Sequence, residues 1–179
     1  FHVLVDRRAA SKVLQGITTE VTGEGSSIAP VDDRMVQEAA ANAAHFHVTQ
    51  DWRTLADYFR RLELRSHPAI NMATFVGAGS IRNYVIGKDD RPATPAELDR
   101  MRQLVGQAMD QGAVGLSTSL QYVPDRFAST GEIVELATVA AQHGGVYFTH
   151  QRSDSATILD SPAEASALAE RARLAADIW

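Results

Sequence analysis

Thr94-Pro95-Ala96-Glu97 opens a stretch that runs to Gly112-Ala113-Val114-Gly115-Leu116-Ser117, and it spells one complete helix-then-strand unit. Thr94 and Glu97 stand three apart as a capping box, with Pro95 at the first helical position, where its missing N–H costs nothing. Leu98, Met101, Leu104, Val105, Ala108 and Met109 then recur on one helical face. Gly112 closes the helix. The run after it is apolar at successive positions rather than alternating, as a strand covered on both faces of a parallel sheet should be.

Moving outward, the same unit recurs. Strands are expected over 17–22, 72–76 and 146–149, besides 113–117. Ser129-Thr130-Gly131-Glu132 starts a helix through Ile133, Leu136, Ala137 and Ala140 that stops at Gly144-Gly145. Ser161-Pro162-Ala163-Glu164 starts an Ala-rich helix carrying Leu168 and Leu174. Asp51 is expected to cap a helix with Trp52, Leu55, Tyr58, Phe59 and Leu62, and another helix is expected over 7–15. Alternating strands and helices imply a parallel sheet with right-handed crossovers. A doubly wound open sheet and a (β/α)₈ barrel both fit that pattern.

A whole barrel needs about 250 residues, so about four βα units make half of one. The chain of 179 residues opens without Met and stops at Ala176-Asp177-Ile178-Trp179, inside what reads as the start of a buried strand. The expected fold class is therefore α/β: a partial (β/α)₈ TIM barrel, with 1–179 the central part of one barrel domain. The long span 25–71 carries an insertion, with a loop or short helix at 32–44. Two open strand edges would make such a piece prone to associate.

Apolar residues make up 45 % and charged residues 22 %, with a formal charge of −5 and no basic face. No nucleic-acid partner is expected. No apolar run approaches the roughly 20 residues that span a bilayer, and no membrane partner is expected. The expected compartment is the cytoplasm, or the periplasm if a leader precedes the chain. With no cysteine, any metal must be held by His, Asp or Glu.

In a βα barrel the functional residues stand where strands end. Here those positions hold Glu24, Gly77, Ser119, Tyr122, His150 and Arg152. A His and a Glu delivered to one rim suggest a divalent-metal site. The flanking glycines of Thr22-Gly23-Glu24-Gly25 allow close backbone approach. His45-Phe46-His47 has the HxH spacing of metal ligands, but the Ala-rich run before it reads as helix, so it is taken as a polar loop. Gly77-Ala78-Gly79 resembles a dinucleotide turn. Asn83 replaces the third glycine, and Gly87, Pro92 and Pro95 forbid the long helix that turn needs. Asp125 and Asp154 read as solvated loop carboxylates.

Four segments carry a resemblance: Gln15-Gly16-Ile17-Thr18-Thr19-Glu20-Val21-Thr22-Gly23, Asn71-Met72-Ala73-Thr74-Phe75-Val76-Gly77, the stretch 112–124, and Gly144-Gly145-Val146-Tyr147-Phe148-Thr149-His150-Gln151-Arg152. In order and spacing they resemble the N-acyl-D-amino-acid deacylase (D-aminoacylase) family of the amidohydrolase superfamily. The resemblance implies a barrel with zinc or another divalent metal, one or two ions. His150 matches a metal ligand of the family's T-H-x-R segment. Glu24 stands where the family supplies a cysteine to the metal, and Tyr122 matches a tyrosine near the substrate carboxylate. Arg152 is read as either a second grip on that carboxylate or a structural ion-pair partner. Ala78 stands where many relatives carry His, and Asp125 where many carry Gly.

The resemblance also implies an HxH pair before Phe1, a further histidine after Trp179 and a catalytic aspartate beyond that, so the chain alone is expected to be inactive. The implied activity is hydrolysis of the amide C–N bond of N-acyl-D-amino acids or similar small amides. Other cyclic-amide or dipeptide hydrolases of the superfamily, or a metal-free binding protein on the same scaffold, are the alternatives.

Overall fold

Strand neighbours in this protein follow chain order, and that order separates the two candidate architectures. The computed structural model describes residues 1–155 and 158–178. Its strands are β1 (Thr19–Thr22), β2 (Asn71–Thr74), β3 (Val76–Gly77), β4 (Gly115–Ser119), β5 (Val146–His150) and β6 (Ala176–Ile178). β1 pairs with β2, and β3-β4-β5-β6 form a second ladder; every pair is parallel. A doubly wound sheet reverses its strand order at a switch point, whereas a barrel winds in sequence. This is a barrel arc.

The two ladders are one surface. The expected strand at 72–76 breaks between β2 and β3, and the Val114 N–H still donates to the Thr74 carbonyl at 3.0 Å, joining β2 to the segment leading into β4. β6 was not assigned as a full strand from sequence. Ala176 and Asp177 are exposed rather than buried, because β5 is the only neighbour of β6 among the described residues. Trp179 lies outside the described residues.

The helices pack side by side in chain order: α6 (Ala78–Val85) on α7 (Pro95–Asp110), α7 on α8 (Thr130–Gln142), and α8 on α9 (Asp160–Ala172). This is how an outer helical ring grows. The capping box of α7 forms as expected, Thr94 and Glu97 exchanging bonds, and Ser129 caps α8. Met101, Leu104, Val105, Ile133, Leu136, Ala137 and Leu168 line the core. Across it runs one buried ion pair, Arg82 Nη1 to both Glu132 oxygens at 2.8 Å, the two side chains 1 % and 6 % exposed.

Three local expectations change. Ser161 lies inside the first turn of α9 and exchanges bonds with the Ser153 backbone (3.0 and 3.2 Å), so it ties down the loop after β5 instead of capping. Thr54, with Asp57, caps α5 (Leu55–Arg61), while Asp51 is drawn into ion pairs with Arg61 and Arg65. The helix expected over 7–15 is only α2 (Ala10–Val13), preceded by α1 (His2–Val5). After Gly77 comes an eight-residue helix, short as Gly87 requires.

Residues 25–70 hold α3 (Asp33–Glu38), α4 (Ala40–His45), α5 and a π-helical turn over Leu62–Ser66. Trp52, 1 % exposed, anchors them: its indole N–H donates to the Ile28 carbonyl at 3.0 Å. His45 ends a helix and His47 follows in the left-handed region, so the HxH spacing serves no strand end. None of the described helices is long and apolar enough to cross a membrane.

Candidate metal centre

His150 is the last residue of β5, in register with Ser119, the last of β4. That pairing brings the β1, β4 and β5 ends to one rim. The β1 loop reaches it because Gly25 adopts φ 61°, and a Cβ there would lie 2.3 Å from the Ser119 hydroxyl. Only glycine permits both the backbone angle and the approach. The Gly25 N–H donates to Ser117 Oγ at 3.1 Å, and that hydroxyl donates to the Gly23 carbonyl. Glu24, between two anchored glycines, is thereby aimed at β5.

The result is contact. Glu24 Oε1 stands 3.3 Å from His150 Nδ1, and Asp154 Oδ2 stands 3.6 Å from Nε2. The Tyr122 ring meets the imidazole edge-on, centroids 5.7 Å apart. Asp154 is exposed, and donation from the Gln151 and Gln121 amides, with His150 adding to it, holds its carboxyl below the usual range. Glu24 and Tyr122 also border a cavity of about 490 Å³, closed by Ser80, Lys88, Ser119 and Asp125.

Arg152 is turned elsewhere. Its guanidinium pairs with Glu164 at 3.0 Å and donates to the carbonyls of Arg126 and Ala128. Of its two readings from sequence, the geometry favours the structural one. Ala78 begins α6 as a buried residue.

Asp125 departs from its expectation most. It is 3 % exposed rather than solvated. Burial raises its pKa to about 7, against the lowering effects of the Ser119 N–H bond and of Arg82. Its Oδ2 accepts that N–H at 2.6 Å, while Oδ1 has no partner. The available signal was the apolar pair Phe127-Ala128 just after it. The cavity residues Ser80, Asn83 and Lys88 were missed because they belong to α6 and the turn after it, where only a nucleotide motif was weighed.

The donor set suits a hard or borderline divalent cation: an imidazole and carboxylates, with no thiolate. Two atoms bound to one tetrahedral zinc ion, each about 2.1 Å from it, stand about 3.4 Å apart. The 3.3 Å between His150 Nδ1 and Glu24 Oε1 fits that spacing. No group of three or more such side chains is arranged for a metal among the described residues.

No family model matches the chain. It is 36 % identical over 160 residues to a D-aminoacylase of Alcaligenes xylosoxydans xylosoxydans, covering 88 % of this chain and 32 % of that protein. A crystal structure of D-aminoacylase, described as defining a novel subset of amidohydrolases, superposes with a TM-score of 0.85 at 32 % identity, covering 99 % of this chain and 37 % of that one. Over this span the chain is homologous to D-aminoacylases. The N-acyl-D-glutamate deacylase of Bordetella bronchiseptica, solved with zinc and a phosphonate mimic of the tetrahedral intermediate, superposes at 0.86 with 28 % identity, over 98 % of this chain and 37 % of its own. The chain thus spans about a third of the length of the relatives it matches.

Proposed function

We propose that the protein to which this chain belongs is a metal-dependent hydrolase that cleaves the amide C–N bond of N-acyl-D-amino acids. The observation that carries this is the approach of His150 Nδ1 to Glu24 Oε1 at 3.3 Å, at the strand-end rim where barrel chemistry resides. His150 and Glu24 hold zinc or another divalent ion, one of one or two. A cation there supplies Lewis acidity, polarising the amide carbonyl and lowering the pKa of a water toward about 7. Glu24, in place of the family's cysteine, is a harder ligand and loosens the preference for zinc. Asp154 faces the other imidazole nitrogen and orients the ring. Tyr122, edge-on to His150 and lining the cavity, binds the substrate carboxylate in this reading, and Arg152 braces the loop behind it. The proton for the departing amine comes from outside these residues.

The test uses the full-length protein: metal content and hydrolysis of an N-acetyl-D-amino-acid series, wild type against His150→Ala and Glu24→Ala. Each substitution should lower metal affinity about tenfold or more and reduce turnover with it. Unchanged occupancy in both variants removes the site.

A further inference from the structure

The buried carboxyl of Asp125 enters no step above, yet it lies in the wall of the same cavity. It opens the 3₁₀ turn Asp125–Phe127, at the far end of the loop that leaves β4. Its Oδ2 takes the backbone N–H of Ser119, the last residue of β4, at 2.6 Å. The bond closes the loop into a ring with Tyr122 at its middle. Two backbone bonds brace the ring: the Tyr122 N–H donates to the Ser119 carbonyl and the Arg126 N–H to the Tyr122 carbonyl, each at 2.9 Å. The Leu120 N–H donates to the His150 carbonyl at 2.9 Å, tying the ring to β5. The second oxygen, Oδ1, is unpaired and lies against Gly79 of α6, where a Cβ would stand 3.0 Å away.

A nearly enclosed carboxyl with one oxygen unpaired costs stability that one hydrogen bond only partly offsets. Such a group at a cavity wall is a candidate for a functional role. Its geometry names the role. Removing the carboxylate frees the Ser119 N–H and opens the ring at its only side-chain closure among the described residues, and Tyr122 is what the ring carries.

We propose that Asp125 is a positioning residue for the reaction at this site: by accepting the Ser119 N–H it holds the Tyr122 loop so that the tyrosine stands edge-on to the His150 imidazole. The proposal rests on the hydrolase reading above. Because Tyr122 serves substrate binding, losing the brace raises KM more than it lowers kcat.

The experiment compares Asp125→Ala, Asp125→Asn, Tyr122→Leu and the Asp125→Ala/Tyr122→Leu double variant of the full-length protein. Asp125→Ala should raise KM about tenfold or more, since misplacement by about 1 Å is that costly, with metal content unchanged. Asp125→Asn, which keeps an acceptor for the Ser119 N–H, should restore KM. The double variant should be no worse than Tyr122→Leu. Additive KM effects, or an Asn variant as impaired as the Ala one, overturn the proposal. If Asp125→Ala does not fold, Asp125→Leu fills the same space without an acceptor for the Ser119 N–H. It should raise KM in the wild type and add nothing to Tyr122→Leu; an unchanged or additive KM overturns the proposal.

A readout independent of hydrolysis is the His150 ring-proton resonance, which the Tyr122 ring current shifts. It should move in Asp125→Ala, or in Asp125→Leu, as it does in Tyr122→Leu; an unmoved resonance overturns the positioning role. A wild-type protein without amide hydrolysis overturns the hydrolase reading alone.

Discussion

The units spanning α7 to β5 and the segment 25–70 solve the same problem by different means. In the first, helices run 16 and 13 residues and begin at side-chain caps, and Glu132 of α8 pairs with Arg82 of α6 in the core while Arg102 of α7 meets Asp99 and Glu135 at the surface. In the second, no helix exceeds 7 residues, and the ion pairs Arg34–Glu38, Arg53–Asp33 and Arg65–Asp51 stand in solvent. Short helices are marginal by themselves, so the segment depends on packing around Trp52. The lesson is about where polar groups matter: the buried Asp125 and Ser117 hold the rim, while exposed pairs sit on the helices of both regions.

The largest effect should come from Glu132→Ala, which strands a guanidinium that is 1 % exposed. About 3–5 kcal/mol should be lost in denaturant unfolding; a loss under about 1 kcal/mol would erase the contrast. Asp125→Asn should act through pH. The folded carboxyl, raised to about 7 from its ordinary 3.8, holds its proton more tightly than the unfolded one. Its stabilising contribution is therefore complete below about pH 4 and is lost as pH rises through 7, a change on the order of 4 kcal/mol. The Asn variant should flatten that slope, so its gain over wild type appears at pH 8 and vanishes near pH 4. Stability curves at the two pH values check it. Thr94→Ala removes the α7 cap and should cost about 1 kcal/mol. Asp33→Ala, which breaks an exposed pair of the insertion, should leave the melting midpoint unchanged within error.

Legibility followed the same division. Thr94, Ser129 and the strands at 113–117 and 146–149 were readable because caps and apolar runs are local signals. Asp51 and Ser161 were misread as caps because partners distant along the chain or across a loop claim them, Arg61 and Arg65 in one case and Ser153 in the other. At the rim, His150 and Glu24 were legible from strand-end position and from the family resemblance. Asp125 was not. The apolar pair Phe127-Ala128 beside it was the one local hint, and it does not say that α6 will close over the carboxylate.

By itself the sequence determined that helices alternate with strands, since periodicity and capping are written within a few residues of where they act. It also determined that no residue of this chain offers a thiolate to a metal. Only the tertiary structure decided that the strands wind in chain order, that Glu24 meets His150, and that Asp125 is buried beneath the Tyr122 loop. Those facts depend on contacts between residues far apart in the chain, such as Gly25 against Ser119. A close approach of that kind is fixed by packing density and by the space a missing Cβ leaves, neither of which a linear pattern records.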